Sequence, residues 1–300
     1  MHILLLYGGE SNEREVSLRS GARVAEGLIE AGHTVESYDV RGEEPEAWLL
    51  ARCREADAVF LCFHGGAGED GRWQGALETA GIQHFTGSDA AASALAMDKP
   101  RAKACVSAMG VPVAKGEVWR AGDVCPGMDL PFVIKPPQGG SSVGFCVIKT
   151  AKDLEKLIPS GDLLCESYLP GREYSVGVLG GRALPPVEII PAGGVYDYAH
   201  KYTPGATREV CPARLSPARL ALLQDLALIS FAAMGLRDFA RVDFKEDAEA
   251  RFCFLEANTL PGMTQTSLLP LAAAKSGLSF AALCDKMARF ARERRKILDK

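Results

Sequence analysis

A chain of 300 residues with 47% hydrophobic and 24% charged side chains has an ordinary globular composition and is too long for one small core, so two or three packed units are expected. Its net charge of -4 gives no electrostatic case for nucleic acid as the main ligand. Nine scattered cysteines without a C-x-x-C pair read as reduced, mostly buried thiols of a cytoplasm. The opening apolar run, Ile3 to Tyr7, is far too short for a signal peptide. The longest later run, Leu226 to Leu236, falls short of a membrane span. A soluble, cytoplasmic protein with no membrane partner is the expectation.

In chain order, His2 to Tyr7 followed by Gly8-Gly9 fits a buried parallel strand, a loop and a helix from Arg14 to Ala31 closed by Gly32. A strand at Thr34 to Val40, a polar helix around Glu44 to Glu55 and a strand at Ala58 to Phe63 complete a β-α-β-α-β, doubly wound unit. Ligands of such units sit past the carboxyl ends of strands, where Glu15 and His64 fall. Taken alone, His64 fits a structural imidazole equally. Gly8-Gly9 lacks the G-x-G-x-x-G spacing of a dehydrogenase. The loop GGAGEDG leads into a helix, then a strand-like Gln83 to Thr86. A helix from Ala90 carries Asp98 and Lys99, with a domain boundary placed near residue 96.

The strand FVIK ends in Lys135, and the loop PQGGSSVG leads to a second strand, Phe145 to Lys149. No helix follows the glycines, so this is not a Walker loop. It is free to cover phosphates with its amides and with the hydroxyls of Ser141 and Ser142, while Lys99 and Lys135 supply positive charge. A plain mobile connection is the alternative. The strand Asp162 to Tyr168, flanked by Glu166 and Glu173, has an edge suited to an amino-purine, or is a simple hairpin. Residues 193–214 carry too much Gly, Pro and Thr for a helix and fit a lid. A helix starting at Ser216-Pro217 follows, and the chain closes on a helix whose basic last turns read as a solvated face.

The stretch FARVDFKEDAEARFCFLEAN, Phe239 to Asn258, reads as a hairpin with a polar turn at Glu246 to Ala250. Strand alternation puts Arg241 and Asp243 on one face and Glu256 and Asn258 on the matching face of the return strand. Val242, Phe244, Leu255 and Ala257 take the core side. Two carboxylates and an amide oxygen suit a hard cation such as magnesium, or form a solvated face.

Nine motifs in this order, among them GGESNEREVSLRSG, HGGAGEDGRWQG, IKPPQGGSSVG, YDYAHKY and LEANTLPGMTQTSLLP, resemble the D-alanine:D-alanine ligases of the ATP-grasp superfamily. The resemblance implies an α/β, ATP-grasp architecture: an N-terminal doubly wound parallel-sheet domain (1–96), a central subdomain with the phosphate-covering loop (97–180), and a C-terminal subdomain with lid and metal site (181–300). It implies ATP-dependent synthesis of D-alanyl-D-alanine for the cell wall, in a homodimer, with two magnesium ions or manganese in their place.

By the same resemblance, Lys99 and Lys135 are the ATP phosphate ligands, Ser141 and Ser142 belong to the phosphate-covering loop, Lys201 binds the cofactor from the lid, and Glu166, Tyr168, Leu169 and Glu173 hold adenosine. Asp243, Glu256 and Asn258 bind the metal. Glu15 holds the ammonium of the first D-alanine, His64 lies near its carboxylate, and Ser267 and Leu268 receive the second. Arg241 and the Gly262 amide stabilise developing negative charge. Tyr202 reaches Glu15 and Ser141 from the lid. His200 and the uncharged PPQGG loop depart from the family pattern. Rival readings are another ATP-grasp carboxylate–amine ligase and an inactive nucleotide-binding relative.

Overall fold

Strand β1 (His2–Gly8) runs between β2 (Thr34–Val40) and β3 (Ala58–Phe63), with both pairings parallel. Its apolar run is covered on both faces, and β3 is buried at all six positions, as strands covered on both faces require. The edge strand β2 keeps the polar residues of TVESYDV half exposed. The structure is a computed structural model that describes residues 1–42, 45–140, 144–155, 161–191 and 207–298. Helix α1 (Arg14–Glu30) packs on this sheet, and α2 (Ala47–Glu55) begins later than the sequence suggests. Residues 83–86 form no strand: Phe85 makes a single parallel bridge to Val59.

Helix α3 (Arg72–Thr79) leads to α4 (Ala90–Met97) and α5 (Lys99–Ala108). The expected single helix through Asp98 is broken there. Asp98 has extended ψ and its carboxylate accepts from Arg101 N–H at 3.0 Å, so it caps a new helix with Pro100 in its first turn. Lys99 therefore opens α5.

Antiparallel strands β4 (Gly116–Trp119), β5 (Phe132–Lys135), β6 (Cys146–Ile148) and β7 (Leu163–Ser167) form a second sheet in the order β4-β7-β5-β6, with a short α6 (Ala151–Glu155) after β6. The third sheet runs β11-β10-β8-β12-β13, built from β8 (Glu173–Leu179), β10 (Val187–Pro191), β11 (Thr207–Val210), β12 (Phe239–Glu246) and β13 (Phe252–Asn258), with β9 (Arg182–Ala183) on β8. The second sheet ends at Ser167 and the third begins at Glu173. α7 (Pro217–Ala233) starts as expected, Ser216 accepting from Arg219 N–H. The short α8 (Leu268–Lys275), not foreseen, precedes the long α9 (Phe280–Leu298).

Two readings of polar residues are corrected. Glu246 is not a turn residue: it is 5% exposed and accepts from Tyr174 Oη at 3.2 Å and Arg219 Nη2 at 2.9 Å, with Arg172 Nε at 3.2 Å. Nor are the basic turns of α9 a solvated face. Arg294 grips Asp238 with two bonds of 2.7 and 2.8 Å, and Arg292 pairs with Asp57. Leu283, Cys284, Met287 and Ala288 on the same helix share one core with Ile3 to Leu6. No single helix among the described residues is long and apolar enough to cross a membrane.

Candidate active site

The β12–β13 register sets Arg241 opposite Asn258 and Asp243 opposite Glu256, which is the polar face expected from alternation. Val242, Phe244 and Ala257 are buried on the other face. Beyond Asp243 the register slips, and Phe244 pairs with Phe254. Leu255 is the extra residue of this bulge: it lines the cleft beside Glu256 and packs against Ala114, Leu169 and Cys253 rather than with Val242, Phe244 and Ala257, which corrects the face given to it from the sequence.

Arg241 Nη2 lies 2.9 Å and its Nε 3.0 Å from the Asp243 carboxylate, which also accepts from Ser175 Oγ at 2.7 Å. Lys99 Nζ stands 3.6 Å from Glu256 Oε2 and also donates to Gly139 O. Asn258 Oδ1 is buried without a hydrogen-bond partner, an acceptor that a cation would satisfy. Two carboxylates and this amide oxygen form an all-oxygen donor set that fits a magnesium-class ion. Among the described residues no group of three His, Cys, Asp or Glu side chains has metal-site spacing.

These side chains line a cavity of ≈ 170 Å³ together with Gly262, Ser267 and Leu268 from one segment and Glu13, His64 and Glu69 from the other wall. Glu15 is exposed on α1 and does not line this cavity, whereas Glu13, the residue before the first turn, does. A Cβ on Gly65 would fall 2.8 Å from Glu13 Oε2 and one on Gly140 would fall 3.2 Å from it, so this carboxylate lies between two close glycine backbones. His64 is 5% exposed. Its Nδ1 faces Glu69 Oε1 at 4.0 Å. Burial pushes the Glu69 carboxyl above its usual range, against the opposing pull of His64. Ser267 Oγ accepts from Thr264 N–H at 2.9 Å.

On β7, Glu166 is 2% exposed. Lys135 Nζ lies 2.7 Å from one of its oxygens, and Lys103 is in contact with the other. Burial opposes the charge on Glu166, but the two ammonium groups outweigh it and hold the carboxyl below its usual range. One carboxylate cannot neutralise two lysines. Burial and then the charge of Lys135 lower Lys103 to about 8. Lys103 had escaped notice, although it follows Lys99 by one helical turn and so shares its face. Glu173 Oε2 meets Lys245 Nζ at 3.2 Å, while Tyr168 and Leu169 form the turn between β7 and β8. Ser141, Ser142, His200, Lys201 and Tyr202 lie outside the described residues.

The family model "D-ala D-ala ligase C-terminus" matches residues 111–289. A D-alanine–D-alanine ligase of Methylacidiphilum infernorum is 42% identical over 291 residues, covering 95% of this chain and 94% of that protein. The chain belongs to the D-alanine–D-alanine ligase family. A relative of the same name in Aquifex aeolicus is 41% identical over 94% of this chain and 98% of its own length. Among solved structures of this family, the Bacillus anthracis ligase complexed with ATP matches 99% of both chains at TM-score 0.84 and 25% identity. VanG D-Ala:D-Ser ligase from Enterococcus faecalis matches at TM-score 0.79 and 28% identity, covering 97% of this chain and 99% of that one. The ATP-grasp expectation for the fold is thereby met.

Proposed function

We propose that the chain joins two D-alanine molecules into D-alanyl-D-alanine at the expense of ATP. The observation that carries this reading is one cleft in which Glu13 and His64 face Arg241, Asp243, Glu256, Asn258, Gly262 and Ser267. A carboxylate oxygen of the first D-alanine attacks the γ-phosphorus of ATP, the bond to the β-phosphate breaks, and ADP departs, leaving an acyl phosphate. The amine of the second D-alanine then attacks that carbonyl, loses a proton, and expels phosphate as the C–O bond breaks. The chain supplies no covalent intermediate, so its contribution is positioning and charge stabilisation.

Glu13 provides the negative charge for the first substrate's ammonium, and Arg241 the positive charge beside the transferring phosphoryl group. Gly262 offers a backbone N–H to the tetrahedral oxyanion, and Ser267 with Leu268, at the start of α8, receives the second carboxylate. Lys99 and Lys135 face the phosphates, and the resemblance adds Ser141, Ser142, Lys201 and Tyr202 to this side of the reaction. Asp243, Glu256 and Asn258 would hold magnesium or manganese, which would supply positive charge against the charge developing on the phosphates. Nine free thiols support a cytoplasmic setting for this cell-wall activity. A homodimer is part of the same reading, supported by the resemblance.

The test is phosphate release with ATP and magnesium over D-alanine, L-alanine, D-serine and D-lactate, with products identified by mass. D-Alanine alone should suffice and give the dipeptide. Equal turnover of L-alanine, or none of D-alanine, would overturn the assignment.

A further inference from the structure

Ser20 lies fully buried on α1, and among the described residues its hydroxyl meets two partners from opposite sides of the cleft. Met263 N–H donates to Ser20 Oγ at 3.2 Å, and His64 Nε2 lies 3.0 Å from the same oxygen. A hydroxyl has one proton to give and two lone pairs. If His64 Nε2–H donated, Ser20 would accept twice and its own proton would be buried with no acceptor. If Ser20 donates to a bare Nε2, every group is satisfied, and the imidazole proton sits on Nδ1. That proton then faces Glu69 Oε1, an oxygen with no hydrogen-bond partner, while Glu69 Oε2 is held by Gly65 N–H at 3.0 Å.

One turn along α1, Arg23 Nη1 donates to Met263 O at 3.0 Å and to Thr264 O at 2.6 Å, with its guanidinium stacked 3.7 Å from the Phe280 ring. Ser20 thus holds the N–H of Met263 and Arg23 its C=O. Both main-chain polar groups of Met263, the residue after Gly262, are pinned to the helix that also carries the partner of His64.

We propose that Ser20 is a positioning residue of this ligase: it fixes His64 as the Nδ1–H tautomer and, through the same oxygen, sets the Gly262–Met263 peptide. The N-terminal wall and the loop from the C-terminal wall are thereby placed by one hydroxyl. This rests on the reading above for what the cleft does; the hydrogen-bond link stands on its geometry. Ser17 is the internal control. It lies one turn earlier, equally buried, but its hydroxyl donates to Cys62 O at 2.6 Å and accepts from Gly8 N–H at 2.8 Å, which ties strand ends together and leaves the cleft untouched.

The tautomer is read by long-range nitrogen–proton NMR of the histidine rings, with the His64 signal assigned by its loss in His64→Gln. Wild type should show Nδ1–H at His64, and Ser20→Ala should shift it toward Nε2–H or an average. Ser20→Ala should also lower kcat by on the order of 10- to 100-fold with the KM for ATP held within about twofold, and Ser20→Thr, which keeps the hydroxyl, should recover the tautomer. An Nε2–H ring in wild type overturns the proposal even if Ser20→Ala does not fold. So does an unchanged tautomer in Ser20→Ala, or an equal kcat loss in Ser17→Ala. A wild-type protein that makes no dipeptide sinks the functional reading instead, and the spectra still decide the link.

Discussion

Lys99 Nζ and Glu256 Oε2 stand 3.6 Å apart, joining the first residue of α5 to the polar face of β13. Lys99 also donates to Gly139 O, so the loop after β5, a helix start and the carboxylate wall meet at one ammonium group. Glu256→Gln keeps the shape of that side chain and removes its charge. Dipeptide synthesis should fall by at least about 10³-fold, with melting temperature nearly unchanged because the site is partly open. Turnover near the wild-type rate at saturating magnesium would make Glu256 an ordinary surface carboxylate.

Glu13 and Glu15 are two residues apart but differ in environment, one lining the cleft and the other exposed. Glu13→Gln should raise the KM for D-alanine about tenfold or more, as expected on losing a charge-assisted contact of about 1.5–3 kcal/mol. Glu15→Gln should leave kinetics within about twofold. Steady-state rates against D-alanine concentration decide this, and the reverse order of effects would refute the placement.

Glu69 gives a pH prediction with a definite sign. Burial raises its carboxyl in the folded chain. From the ordinary carboxylate value of 4.5 upward, the folded state therefore binds more protons than the unfolded state until its own raised value is passed. Stability contributed here is present at low pH and is lost as pH rises through that window. Glu69→Gln removes the titration, so the variant should melt about 2 °C or more above wild type at pH 7.5, with the gap closing toward pH 4.5. Its activity should nevertheless fall, since His64 loses the facing carboxylate. Melting curves across pH test the first claim, and a constant gap would refute it.

A Cβ added at Gly262 would lie 2.8 Å from Ser267 Oγ. That hydroxyl is engaged by Thr264 N–H at 2.9 Å and Thr264 Oγ1 at 2.8 Å, so it cannot simply swing aside. Gly262→Ala should lower kcat by on the order of 10-fold or more while costing only about 1 kcal/mol of stability. Equal kcat in the variant would show that the backbone here does not need its present position.

The polar wall was legible because strand parity alone decides which face a residue takes, and Arg241, Asp243, Glu256 and Asn258 obey it. Leu255 was misplaced because a bulge breaks that parity and leaves no mark in the alternation of side chains. The choice of Glu15 over Glu13 failed for a related reason: the segment before a helix has no period, so nothing in it says which carboxylate turns inward. Glu246 looked like turn chemistry, yet its partners Arg172 and Arg219 come from a distant turn and helix. Only the assembled sheets show that it is buried.

Helix α9 lays Leu283, Cys284, Met287 and Ala288 against the strands made first in synthesis, and Arg294 reaches Phe85 O, 209 residues earlier. At about 5–20 residues per second, that interval takes roughly 10 to 40 s on the ribosome. For that time β1 to β3 exist without the helix that covers one flank of them. A chain truncated before residue 280 is therefore expected to expose that apolar flank rather than to fold as a smaller stable protein.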